Sequence, residues 1–150
     1  MRKQVFGRQL GRTKNQRQAL FKGLIRSLID KGEIETTIAK AKAIKSQAEK
    51  IITKAKRGNL NDQRNILKTV GNRDLVNKLV NDIGPAFKNK KGGYLRIVRT
   101  NLRLGDATQM AKLMFTEEIK VTKRGLVKEG ATETKEEPKK KKEVKKNKKI

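Results

Sequence analysis

Forty lysines and arginines against fifteen aspartates and glutamates give this 150-residue chain a formal net charge of +25, in a length that suits one domain with a modest core. Residues 125–150 hold ten lysines and five glutamates, so residues 1–124 still carry +20 and the folded part is itself cationic. Without Cys or His there is no disulfide framework, thiolate metal site or histidine base, and no apolar run approaches the roughly 20 residues of a membrane span.

Residues 1–12 read as a basic extended arm. Arg2, Lys3, Arg8 and Arg12 stand in it without an acidic residue, and Lys14 and Arg17 continue the run. Gly7 and Gly11 keep it from being the first turns of a helix and let the backbone bend close to a phosphate surface. Thr13 can cap a helix, with Gln16 three residues on completing a capping box. Leu20, Phe21, Leu24, Ile25, Leu28 and Ile29 then recur at helical spacing as one apolar side, and Gly32 ends the helix after Lys31.

"EIETT" at 33–37 reads as a short strand. Thr37 can cap a second long helix whose buried stripe is Ala41, Ile44, Ala48, Ile51, Ile52 and Ala55, closed by Gly58. Lys42, Ser46, Lys50 and Lys54 line its opposite face, an ordinary amphipathic arrangement. A third helix spans about 61–70. A fourth starts after Asn72, buries Leu75, Val76, Leu79, Val80 and Ile83, and is expected to stop at Gly84-Pro85.

The period then changes. "GGYLRIVRT" (92–100) and "QMAKLMF" (109–115) read as strands joined by "NLRLGDAT" (101–108). Leu95 and Ile97 share one face of the first, with Tyr94 and Arg96 on the other; Leu113 and Phe115 face inward from the second and Lys112 outward. The expected fold is α+β: about four helices packed on a small, mostly antiparallel sheet, with the arm at 1–12, the domain at 13–120 and a tail at 121–150. "KEEPKKKKEVKKNKK" (135–149) is lysine-rich and nearly without apolar residues, so the tail is expected to be disordered.

A body this cationic repels itself and calls for a polyanion, nucleic acid before an anionic membrane surface. The charge-bearing N-terminus lacks the apolar stretch of a signal peptide, so the expected location is cytoplasmic. Arginine offers a planar fork for bidentate phosphate contact, and the arm is read as threading into folded RNA with the first helix anchoring it. Arg96, Arg99 and Arg103, on a strand and its loop, form a second candidate set, and Asp106 reads as a turn-former or an arginine partner. The aromatic residues sit at core positions and make no platform for stacking single-stranded bases. No catalytic residue, metal ligand or cofactor is expected: Ser27 and Ser46 lack a histidine base, no phosphate-loop pattern is present, and Glu117 and Glu118 diverge as neighbours. The competing reading is a helix-turn-helix or nucleoid-type DNA-binding protein, with Arg73, Asn77 and Lys78 reading bases, although Asp74 and Asp82 would oppose the DNA charge.

"GRQLGR", "RQALFKGL", "IETTIAKAKAIK", "AEKIITKAK" and "GPAFKNKKGGYLRIVRTNLRLGDATQMAKL", in this order, closely resemble the family of bacterial large-subunit ribosomal protein seventeen over residues 1–117. Matching positions are Arg2, Arg8, Leu10, Gly11, Arg12, Arg17, Thr36, Thr37, Ala41, Gly93, Tyr94, Arg96, Gly105, Asp106 and Met110. Lys3 and Gln16 stand where the family usually has histidine, and Lys91 and Gln109 where it often has proline. The resemblance implies a compact α+β domain and a structural role without catalysis. It also implies binding to large-subunit rRNA near the peptide exit tunnel, among neighbouring large-subunit ribosomal proteins, with no membrane or small-molecule substrate.

Overall fold

The computed structural model describes residues 7–117 and 119; Arg2 and Lys3 of the arm, and the whole tail at 121–150, lie outside them. Four helical segments pack on a three-stranded antiparallel sheet, as the sequence pattern requires. Helix α1 is Lys14–Lys31, β1 is Glu33–Thr37, α2 is Ile38–Arg57 and α3 is Leu60–Val70. Helix α4 begins at Arg73–Lys78, widens into a π turn at Leu79–Ile83 and closes with a last turn at Gly84–Ala86. Strands β2, Leu95–Leu102, and β3, Gln109–Phe115, complete the fold.

Each helix end has a local cause. Thr13 N–H donates to Gln16 Oε1 at 3.2 Å, the return half of the expected capping box. Asn72 starts α4 by accepting from the Asp74 N–H at 2.8 Å. Gly32, Gly58 and Gly71 end α1, α2 and α3 in the left-handed conformation, and Arg26 Nε of α1 donates to the Val70 carbonyl at 2.6 Å, capping α3. Thr37 precedes α2 but its hydroxyl makes no cap bond.

The six α2 residues picked by spacing are the six that are buried. All but Ala41 join one core cluster with Ile25, Leu28 and Ile29 of α1, Ile66 and Val70 of α3, Leu79 and Ile83 of α4, and Leu95, Leu113 and Phe115 of the sheet. Leu20, Phe21 and Leu24, expected in the apolar stripe of α1, are only half-buried: none of the first eleven residues of α1 is fully buried. Leucine and phenylalanine spacing marks the side of a helix that is apolar, but not how far the partner surface extends along it.

Two further expectations change. Helix α4 does not stop at Gly84-Pro85 but carries both in its last turn. A Cβ on Gly84 would lie 3.0 Å from the Ala55 carbonyl oxygen, so the glycine serves the close approach of α2 and α4. Tyr94 is not on the outer strand face with Arg96; it is buried just before β2, edge-on to Phe87 with ring centroids 5.2 Å apart. Its hydroxyl lies within 3.3 Å of the Lys90 carbonyl and 3.2 Å of that of Lys91, so the ring is removed from water without stranding its polar end.

Strand β3 lies between β1 and β2. Its pairing puts Ile34, Leu113 and Ile97 in one row and Thr36, Ala111 and Arg99 in the next, on the side that faces the helices. Glu33, Met114 and Arg96, then Glu35, Lys112 and Val98, form the rows of the open side. The β2–β3 register breaks between Arg99 and Leu102, and β2 runs two residues further than the expected strand.

Candidate nucleic-acid interface

The cationic strap before α1 is shaped by its backbone. Leu10 and Gly11 both have positive φ, 54° and 62°, and the Arg12 N–H donates to the Gln9 carbonyl at 3.2 Å. Two consecutive positive φ values across a four-residue hydrogen bond mark a turn of the I′ kind, which reverses the chain just before the helix. The Arg12 side chain folds back once, Nη1 donating to the Leu10 carbonyl at 2.8 Å, and the residue stays exposed. Arg8 and Lys14 are exposed and Arg17 is half-buried on the first turns of α1.

The first turn of α1 contains no acidic residue. A helix N-terminus carries partial positive charge from its unpaired N–H groups and ordinarily attracts Asp or Glu. Here Arg12, Lys14 and Arg17 surround it instead, an arrangement that costs stability until an anion arrives. Lys22, half-buried, lies on the same side of the helix, since Lys14, Lys22 and Arg26 are spaced by multiples of four. The sequence already sets Lys22 and Arg26 opposite the apolar side of this helix, but Lys22 is not among the expected contacts. Arg26 is occupied with α3.

The second set is not a single patch. Arg96 projects from the open side of the sheet and Arg99 from the helix-facing side, three residues apart on a strand of period two. Arg103 is bound to Asp106 through both arms of its fork, at 3.0 and 2.5 Å. Asp106 also accepts from the Thr108 N–H at 3.3 Å and hydroxyl at 2.7 Å. These bonds, Arg103 first and Thr108 next, hold its carboxyl well below the usual carboxylate range. Asp106 is thus the arginine partner that the sequence suggested.

Several other cations are used inside the fold. Lys56 Nζ donates to the Lys90 carbonyl and lies 5.5 Å from the centre of the Tyr94 ring. Lys90 pairs with Glu117 at 2.5 Å, Lys112 with Glu33 at 2.7 Å, and Lys78 donates to the Asp30 carbonyl at 2.6 Å. The Lys78 bond takes one of three supposed base-reading residues out of play, and the regular part of that helix is only six residues long. Among the described residues no helix is long and apolar enough to cross a membrane, and no three acidic residues gather as metal ligands would.

The family model for ribosomal protein L17 matches residues 20–116. The chain belongs to the ribosomal protein L17 family. It is therefore a ribosomal protein, a part of the translation machinery. A large ribosomal subunit protein bL17 from Thermodesulfovibrio yellowstonii is 46% identical over 123 residues, covering 82% of this chain and 92% of the relative. The proteins of the same name from Campylobacter jejuni subsp. doylei and Campylobacter concisus are 44% and 42% identical, over 72% and 74% of this chain and 92% and 94% of theirs. The L17 match begins inside α1, so the strap itself lies outside the matched segment.

Proposed function

We propose that this chain is a structural constituent of the large ribosomal subunit and grips large-subunit rRNA by phosphate contacts from the strap and the first half of α1. The observation that carries the reading is the acid-free run of Arg8, Arg12, Lys14 and Arg17 around a turn and an exposed helix start. Arg2 and Lys3 extend the run in sequence, and Arg96 and Arg99 give secondary contacts from the two sides of β2. Arg103 acts by shaping its loop. The family resemblance supports a location near the peptide exit tunnel, with neighbouring ribosomal proteins as further partners and no catalytic step.

Co-sedimentation with large subunits in low-magnesium gradients tests the reading; a chain that follows DNA instead rejects it. Binding to large-subunit RNA should also fall by roughly 0.7–0.9 log units per log unit of salt for each phosphate neutralised. We propose further that 13–120 is the folded RNA-binding domain that carries the arm at 1–12, and that residues 121–150 are dispensable for assembly. Their net charge of +5 is small beside the +20 of residues 1–124. A truncated chain lacking them should enter subunits in cells that also make the full-length form; exclusion of a folded truncated chain overturns this.

A further inference from the structure

Four large apolar side chains are strongly exposed among the described residues, and three of them, Val98, Leu102 and Leu104, lie on the β2–β3 hairpin. Leu104, at its tip, is 98% exposed. A single exposed leucine is ordinary on a protein surface. This one is held in place. The Arg103 fork and two donors from Thr108 converge on Asp106, and the Arg103 N–H donates to the Thr108 carbonyl at 3.0 Å, closing the loop around Leu104. Ala107 sits at φ 49°, a conformation costing an alanine about 1 kcal/mol, between the two residues that hold it there.

The charge of the tip is as unusual as its shape. Residues 101–108 contain one cation and one anion, and these are bonded to each other. A phosphate backbone is gripped by uncompensated cations, and the tip has none to offer. A protein that shares the same polyanion is itself expected to be cationic, and across most of this +20 body two such surfaces repel. The neutral tip is where they touch without that repulsion.

We infer that the β2–β3 hairpin tip docks on a protein neighbour in the large subunit, with Leu104 seated in an apolar recess of that neighbour and Leu102 flanking it. Asp106 is the positioning residue, because it fixes the loop before the partner arrives and lowers the ordering cost of docking. The inference rests on the ribosomal reading above.

The test places a photo-reactive phenylalanine analogue at Leu104 in the full-length chain, assembled into large subunits in cells and irradiated there. The expected product joins this chain to one subunit protein, with the attachment mapped to an apolar recess of that protein. A cross-link to rRNA, a cross-link to a second copy of this chain, or no cross-link overturns the inference. The same analogue at Arg12 should reach rRNA. An rRNA product from Arg12 without a protein product from Leu104 rejects the hairpin inference alone, whereas failure to enter subunits rejects the ribosomal reading. Asp106→Asn, combined with the probe at Leu104, should lower the protein cross-link several-fold while the chain still assembles; an unchanged yield overturns the positioning role.

Discussion

The turn at Gln9–Arg12 and the loop at Arg103–Thr108 are made of the same parts. Each has an arginine, a glycine with positive φ, and a second residue with positive φ that is not glycine: Leu10 at 54° in one, Ala107 at 49° in the other. They differ by one carboxylate. In the loop, Asp106 takes both arms of the Arg103 fork, and the arginine becomes a brace for the backbone. In the turn no acid is within reach in sequence, and Arg12 spends a single donor on the Leu10 carbonyl. Counting arginines therefore says little about which of them meet a phosphate. For these two arginines, what separates the brace from the uncompensated fork is a carboxylate three residues away on the same turn.

Breaking the uncompensated side should have the largest effect. With Arg8, Arg12 and Arg17 all replaced by Ala, RNA affinity should drop on the order of a hundredfold at physiological salt, taking about 1 kcal/mol for each lost charged contact. The slope of log affinity against log salt should become shallower by roughly two to three. Far-UV circular dichroism should barely change, because none of the three is in the core. Equal salt slopes before and after would show that the contacts lie elsewhere.

Removing the carboxylate should make the loop resemble the turn. Asp106→Ala frees Arg103 and should raise nonspecific RNA affinity a few-fold, while amide exchange quickens at Arg103–Thr108 and nowhere in α2. Uniformly faster exchange across the domain would mean that Asp106 supports more than its loop. A gentler change tests the turn itself. Gly11→Ala meets no neighbouring atom but must adopt φ near 62°, a strain of about 1 kcal/mol. RNA affinity should fall a few-fold with unchanged helicity, and an unaltered affinity would show that the reversal of the chain there is unimportant.

The smallest effect concerns pH. The Asp106 carboxyl is lowered in the folded loop, so the bracing is fully present above the ordinary carboxylate value and is lost only as pH falls through the depressed one. At about pH 4, near the ordinary aspartate value, its carboxyl carbon should still report the ionised form by NMR. A midpoint at that ordinary value would contradict the two-armed bond.

The fold was legible wherever one rule decided a residue's place. The α2 stripe follows from period alone and the ends of α1, α2 and α3 from glycine, whereas Asp106 was legible only as a turn-former or an arginine partner, with Arg103 read as a free contact. Tyr94 was misplaced because strand alternation was carried one residue too far; Gly92 and Gly93 let the chain turn before β2 begins. The continuation of α4 through Pro85 depends on how closely α2 approaches Gly84, a distance no local pattern encodes. At the candidate interface the charges were legible but their competition was not. Lys56, Lys78 and Lys90 are spent on carbonyls and carboxylates contributed by residues 27 to 48 positions away.

The strand order has a consequence for how the chain is made. Among the described strands β3 is the last to be synthesised, yet it is the one to which β1 and β2 are both paired. Until residues 109–115 are available, β1 waits with no partner, separated from it by more than seventy residues of chain. Pairings so distant in sequence form late and slow folding. The N-terminal strap needs none of them. On the proposed reading, in which the strap grips RNA, a nascent chain has its cationic end available well before its sheet can close, and the order of emergence favours attachment first and completion of the domain afterwards.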